Sequence, residues 1–360
     1  MGRFRARKAI VFLVLGLVCV LCSGCKPGGG RPNFAMPQIH MITGENLHSV
    51  VAFNAKEVLV CGNFGVMYHT STGGETLKDW EPLESGAGDM LLCEATFVNR
   101  DRGWVVGIKG TIIHTVDGGK KWDRQESGTE KNLFAVSFAD ANNGWAAGEY
   151  GTIIHTADGG KTWEFQSKNI DKMLNGVFFV DNQRGWVVGE FGTILYTPDG
   201  GKNWETQRCE DIETVVGMDS YDWKPAPSLF KVHFEDENRG WIVGMDGLIL
   251  KTEDRGNKWR KLETNCKVPL YSIDIKGQRG WAVGSRGNYL LSQDGGETWA
   301  VKDGVIKTRF WLKDVSFVDE SNGWIVGASG AVAHSNDGGI SWKLVSGMSY
   351  DIPEYGLTDF

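Results

Sequence analysis

Short apolar runs separated by Gly- and Asp-rich turns recur along the chain at intervals near 40 residues. In residues 133–166 the run 133–138 alternates with the two-residue period of a strand (A), and 139–143 reads as a turn. Residues 145–148 form a second apolar strand (B), Glu149-Tyr150-Gly151 a tight turn, 152–156 a third strand (C), 157–160 a Gly-Gly turn and 162–166 a fourth strand (D). The strand B tryptophans Trp104, Trp145, Trp186, Trp241, Trp281 and Trp324 follow one another at 41, 41, 55, 40 and 43 residues. Four short antiparallel strands per 40-residue repeat make one blade of a β-propeller. With a worn first copy (strands near 47–53, 57–62, 66–70 and 77–83), the pattern predicts an all-β chain. Residues 44–346 then build a seven-bladed β-propeller of four-stranded antiparallel blades with Asp-box turns.

Two motifs carry this register. Asp-Gly-Gly-x-x-Trp starts at Asp117, Asp158, Asp199, Asp294 and Asp337, with an Arg-substituted copy at Asp254 and a worn one at Thr72-Gly73-Gly74. Gly-Trp-x-x-Gly-x-x-Gly starts at Gly103, Gly144, Gly185, Gly240, Gly280 and Gly323. An Asp in such a turn accepts hydrogen bonds from its own backbone, the glycines supply positive φ, and the Trp is an apolar wedge. Seven radially scattered copies cannot converge on one site, so these aspartates mark the fold. Phe97, Phe138, Phe179, Phe234 and Phe317 recur as strand A core residues. Twelve of the fifteen tryptophans fill the strand B and strand D slots, which singles out Trp223 and Trp311 as loop residues. His69, His114, His155 and His334 share a strand C slot with Tyr196, Lys251 and Leu291. Because a metal needs ligands within a few ångströms of one ion, side chains spread over different blades read as packing.

The repeats agree on one face and diverge on the other. The A–B and Asp-box turns lie together, whereas the B–C turns and the crossovers between blades lie opposite, where their tips vary from Tyr150 to Phe191, Asp246 and Arg286. An insertion of about fourteen residues around Trp223 separates blades 4 and 5, and the last crossover carries Lys307-Thr308-Arg309-Phe310-Trp311. Variable tips on a repetitive frame are where such folds bind. Tyr150, Phe191, Trp223, Asp246, Arg286, Arg309 and Trp311 are therefore the candidate partner-binding residues. Trp223 and Trp311 either anchor a partner or fold back to plug the central channel. On the opposite face Arg102, Arg184, Arg239 and Arg279 precede successive Gly-Trp pairs. They form either a basic arc for carboxylates or an acidic partner, or local pairs with Asp101, Asp181 and Glu235.

Outside the repeats, Arg3, Arg5, Arg7 and Lys8 precede the apolar run 9–21, which ends in Leu21-Cys22-Ser23-Gly24-Cys25. This resembles a bacterial lipoprotein signal (residues 1–24) with Cys25 acylated, a linker over 25–43 and a tail over 347–360; an ordinary cleaved signal or an uncleaved anchor are the alternatives. All three place the domain on the exported side of a membrane. Without residues 1–24 the chain holds 34 basic against 45 acidic side chains, a formal charge of −11 against −7 for the whole. That charge argues against nucleic acid and anionic lipid as main partners. Cys61 fills a small apolar slot, and a Cys209–Cys266 bridge is an open possibility.

The run Gly-Trp-x-x-Gly-x-x-Gly-Thr-Ile-x-x-Thr-x-Asp-Gly-Gly-Lys-x-Trp, from Gly103 to Trp122 and from Gly144 to Trp163, resembles the photosystem II assembly and stability factors of cyanobacteria and chloroplasts. The resemblance spans residues 44–346. It implies a seven-bladed propeller exported to a thylakoid lumen, an assistant in insertion of the reaction-centre D1 subunit, and an arginine-rich surface patch to which the Arg102, Arg184, Arg239 and Arg279 series would correspond. The leading expectation is a non-enzymatic, cofactor-free, metal-free assembly factor, lipid-anchored and facing the periplasm or lumen, that binds a membrane-protein partner. The rival is an Asp-box, sialidase-like glycoside hydrolase. Glycosidic cleavage calls for two carboxyls roughly 5–10 Å apart, and the variable face offers only Glu149, Glu190 and Asp246, one per blade.

Overall fold

The computed structural model describes residues 38–167, 170–212 and 225–349. These residues form seven antiparallel sheets, six of four strands and one of five, and each runs in sequence order from an inner strand A to an outer strand D. In blade 3 these are Leu133–Phe138, Gly144–Gly148, Ile153–Thr156 and Glu164–Phe165. The fifth strand is Gln38–His40, which pairs antiparallel with Lys343–Ser349 on the outside of blade 7. The ring thus closes by an N-terminal strand clasping the last blade, and the propeller sheet runs from Gln38 to Ser349, past both ends of 44–346. Two further contacts lock the seam: the Ile42 amide donates to Ser346 Oγ at 2.9 Å, and the Gly330 amide to the Glu45 carbonyl at 2.8 Å.

Adjacent blades are bolted by one repeated aromatic unit. The strand B Trp of one blade stacks on the strand A Phe of the next, at 3.5 Å for Trp104–Phe138, Trp145–Phe179 and Trp281–Phe317 and 3.6 Å for Trp186–Phe234. The same Phe meets its own blade's strand D Trp edge-on, as in Phe138–Trp163 at 5.9 Å. The indole N–H groups of Trp104, Trp145, Trp186, Trp241 and Trp281 also reach a carbonyl of the next blade's Asp-box turn, including Trp145 Nε1 to Gly200 O and Trp104 Nε1 to Gly159 O, both 3.2 Å, whereas Trp324 Nε1 has no acceptor among the described residues. Strand D glutamines add a second donor to that carbonyl: Gln125 Nε2 to Gly159 O and Gln166 Nε2 to Gly200 O, both 3.0 Å. Stacking and hydrogen bonding therefore converge on the turn that each Asp shapes. In blade 3, Asp158 Oδ1 takes the Thr156 hydroxyl and the Thr162 amide while Thr156 Oγ1 takes the Gly160 amide. Burial opposes ionisation of Asp158, but the Thr162 amide and the Thr162 and Thr156 hydroxyls outweigh it and hold the carboxyl at about 2.

The strand C slot completes the unit. His114 and His155 stack on Trp104 and Trp145 at 4.7 Å, His334 on Trp324 at 4.4 Å, and the Lys251 ammonium lies 5.6 Å over the Trp241 ring. Burial lowers the pKa of all three histidines, as expected for rings packed against indole.

Blade 1 departs from the expected pattern. Residues 77–79 are a single 3-10 turn instead of the start of strand D, which is reduced to Glu81–Pro82. Three extra residues separate the worn Gly-Gly pair from Trp80, whose indole N–H nevertheless donates to Gly74 O at 3.1 Å. Trp80 is thus the strand D tryptophan of blade 1, a thirteenth member of the two slots. Cys61, Cys93 and Cys266 carry free thiols, so Cys266 forms no bridge to Cys209.

Candidate docking face

Every strand A begins with a fully buried leucine: Leu47, Leu92, Leu133, Leu174, Leu229, Leu270 and Leu312. In all seven blades the pairing register slips at the next residue, for example between Leu133 and Ala135. A bulge leaves the extra residue unpaired and re-aims its side chain. Here that residue lines the mouth of the central channel. Blades 1 to 4 contribute His48, Cys93, Phe134 and Asn175, and blades 5 to 7 contribute Phe230, Tyr271 and Lys313. With Leu91, Ile108, Met173 and Trp311 they enclose an open, largely apolar cup of about 450 Å³. The two-residue strand period does not reveal this ring. Its signal was available as the one variable position following an otherwise constant leucine.

The rim of the cup carries the B–C tips. All seven hold a non-glycine residue in the left-handed region: Phe64, Lys109, Tyr150, Phe191 and Ser329 at φ 53°, Asp246 at 57° and Arg286 at 58°. The following glycine is required by close approach, since a Cβ on Gly110 would stand 1.8 Å from the Thr129 carbonyl. The turn therefore forces the tip residue into a conformation that costs a bulky side chain roughly 1–2 kcal/mol. Three tips are exposed aromatics, Phe64 at 60 %, Tyr150 at 61 % and Phe191 at 49 %. Lysines flank two of them, Lys131 at 4.2 Å over Tyr150 and Lys172 at 5.9 Å over Phe191. Asp246, Arg286 and Arg309 are exposed on the same face, and Trp311 lies half-buried against His48 with ring centroids 5.5 Å apart. Trp311 therefore lines the channel mouth. Trp223 lies outside the described residues, as do Cys25 and the rest of the leader.

Two of the three carboxylates offered for hydrolysis, Glu149 and Glu190, are braces. Both Glu149 oxygens are taken by Asn132, through its amide at 3.0 Å and Nδ2 at 2.8 Å, and Glu190 accepts the Met173 amide at 2.9 Å. Each pins the crossover to its own tip. Deeper in the channel, Lys231 pairs across the ring with Glu94. Asp314 accepts the Ser272 hydroxyl at 2.7 Å, the Ser49 hydroxyl at 3.1 Å and the Val50 amide at 3.0 Å.

On the opposite face the arginine series is split among separate tasks. Arg184 pairs with Asp181 at 2.5 Å and with Glu237. Arg239 pairs with Glu235 at 2.7 Å and Asp236 at 3.1 Å. Arg279 donates across the blade junction to the Asp337 and Gly338 carbonyls at 3.1 and 3.0 Å. Arg102 is exposed. The structure thus spends three of the four on turn and junction contacts.

The model of the family described as photosynthesis system II assembly factor YCF48 matches this chain repeatedly, over residues 75–167, 123–212, 163–269 and 218–303. No curated protein sequence matches it. Among solved structures, YCF48 bound to D1 peptide is 20 % identical with a TM-score of 0.65, over 84 % of this chain and 97 % of that one. YCF48 from Cyanidioschyzon merolae is 18 % identical with a TM-score of 0.65, over 82 % and 96 %. The GH74 xyloglucanase from Xanthomonas campestris shares the fold at 12 % identity and a TM-score of 0.64, over 84 % of this chain and 54 % of the enzyme.

Proposed function

This chain belongs to the photosystem II assembly factor YCF48 family, and on that premise we propose that it is a non-enzymatic assembly factor which holds a polypeptide segment of a membrane-protein complex on its B–C face. The observation that carries this reading is the rim itself: Phe64, Tyr150 and Phe191 stand exposed in strained left-handed turns around an apolar cup. Backbone strain kept at loop tips, with aromatics aimed at solvent, fits binding anchors better than folding needs. The D1 peptide in the solved relative supports a polypeptide as the kind of ligand. The pinned Glu149 and Glu190 favour binding over hydrolysis. The basic head, apolar run and Cys25 of the leader support export and a lipid anchor. A Cys25→Ser form found in the soluble fraction would agree with the anchor, and one retained on membranes would not.

A paired substitution separates the docking role from a structural one. Tyr150→Gly with Phe191→Gly relieves two left-handed strains, so the melting temperature stays level or rises. Losing two exposed anchors is expected to weaken capture of the membrane partner by about tenfold or more, since each such anchor contributes about 1–2 kcal/mol. Pull-down of the full chain from crosslinked membranes, beside a melting curve, measures both. Undiminished capture by the stable double variant removes these tips from the interface.

A further inference from the structure

One ammonium in the cup makes no ion pair among the described residues. Lys313 lines the cavity, and among the described residues neither a hydrogen bond nor an ion pair reaches its Nζ, which lies over the Tyr271 ring at 5.1 Å. The nearby carboxylates are engaged elsewhere. Glu94 binds Lys231 and the Val136 amide, and Asp314 takes two hydroxyls and two amides, which uses its acceptor capacity. The remaining titratable neighbours are His48, whose pKa burial lowers, and Cys93, whose thiol burial pushes up to about 12. Both are therefore neutral near pH 7 and cannot serve as counter-ions. Burial likewise pulls Lys313 below the usual lysine range, with Asp314 acting against it. A half-buried cation that makes no ion pair among the described residues, in a wall of aromatic and aliphatic groups, is complementary to an anion carrying an apolar body.

We propose that this cup is a binding site for an apolar carboxylate, with the ligand's oxygens on Lys313 Nζ and its hydrocarbon against Phe134, Phe230 and Trp311. The volume of about 450 Å³ lies within the range of roughly 300–1,000 Å³ usual for ligand pockets. Lys313 excludes cationic ligands that an aromatic cup would otherwise attract. The same chemistry is offered by a small aryl or alkyl acid and by the C-terminal residue of a polypeptide ending in an apolar side chain. The site goes beyond the docking role, because it selects on charge inside the cup and needs no contact with the rim.

Calorimetric titration of the full chain tests it with two matched pairs: 4-phenylbutyrate against 4-phenylbutanol, and acetyl-Ala-Ala-Phe with a free carboxylate against its amide. In at least one pair the carboxylate should bind about tenfold more tightly than its neutral partner, the gain of one desolvated charged hydrogen bond. The pair that shows it identifies the source. Lys313→Met keeps the aliphatic stem, and should reduce the ratio to within twofold while leaving the neutral ligands unchanged. Lys313→Gln gives the same readout if the Met form is poorly soluble. Equal affinities within both pairs, no binding of any probe, or a ratio that survives loss of Lys313 each overturns the proposal. The Tyr150→Gly, Phe191→Gly form should retain the ratio, so failure of this site and failure of rim docking are told apart.

Discussion

Trp145→Ala is expected to lose about 3–5 kcal/mol of stability in denaturant titration, the range for deleting a buried large aromatic. Trp145 is fully buried, stacked on Phe179 at 3.5 Å and on His155 at 4.7 Å, and its N–H bonds Gly200 O at 3.2 Å. Removing it opens a void between blades 3 and 4 that rigid sheets cannot close. The matched experiment is subtler. Trp145→Phe retains most of the packing and forfeits the hydrogen bond, about 1 kcal/mol. Trp324→Phe should cost less than half as much, because the buried Trp324 Nε1 has no acceptor to lose. At that junction the Gly74 carbonyl of blade 1's worn turn takes the Trp80 indole and not that of Trp324, and Ala52 stands at the position that strand A gives to Phe in blades 2 to 5 and 7. Equal losses at the two junctions would contradict the view that the turn carbonyl is a bolt between blades.

Lys231→Met is expected to cost about 2–4 kcal/mol, in the lower part of the range for breaking a buried pair, because the channel admits water to both groups. The ammonium pairs with Glu94 of blade 2 from blade 5. Burial opposes its charge, but Glu94, then Asp314 and Asp274, outweigh that and push Lys231 above the usual lysine range. Its loss leaves the Glu94 carboxylate with only the Val136 amide at 2.8 Å. Adding Glu94→Gln removes the stranded charge and keeps an acceptor for that amide, so the double variant should be more stable than Lys231→Met alone. A double-mutant cycle by urea unfolding reads the coupling. Additive losses would show that the two side chains do not act as a pair across the ring.

The architecture was legible because it is written in repeated residues. The Trp–Phe stack and the Asp turn recur with a fixed spacing, and recurrence at 40-residue intervals admits few folds. Blade 1 was misread where the repeat decays: three inserted residues moved Trp80 out of register, although the indole still finds its turn carbonyl. Ring closure was invisible because the segment Gln38–His40, which pairs with the last strand, carries no motif. The face was inferred from loop alternation, but the cup was not, since bulges turn His48, Phe134, Tyr271 and Lys313 inward at a position that periodicity alone would assign to the sheet. The arginine series shows the opposite limit. Its regular spacing suggested a shared surface, yet Arg184 and Arg239 are neutralised by turn carboxylates three to four residues away and Arg279 is spent on a blade junction.

On the proposed function, the B–C face, and not the arginine face, meets a membrane-protein partner. Site-specific photocrosslinking measures it directly, with benzoylphenylalanine placed at Tyr150 or Phe191 on one face and at Lys120 or Thr162 on the other, in the full chain on its native membranes. One discrete adduct with a membrane-complex subunit is expected from Tyr150 and Phe191, and none from Lys120 and Thr162. Adducts formed from Lys120 and Thr162 alone would contradict it.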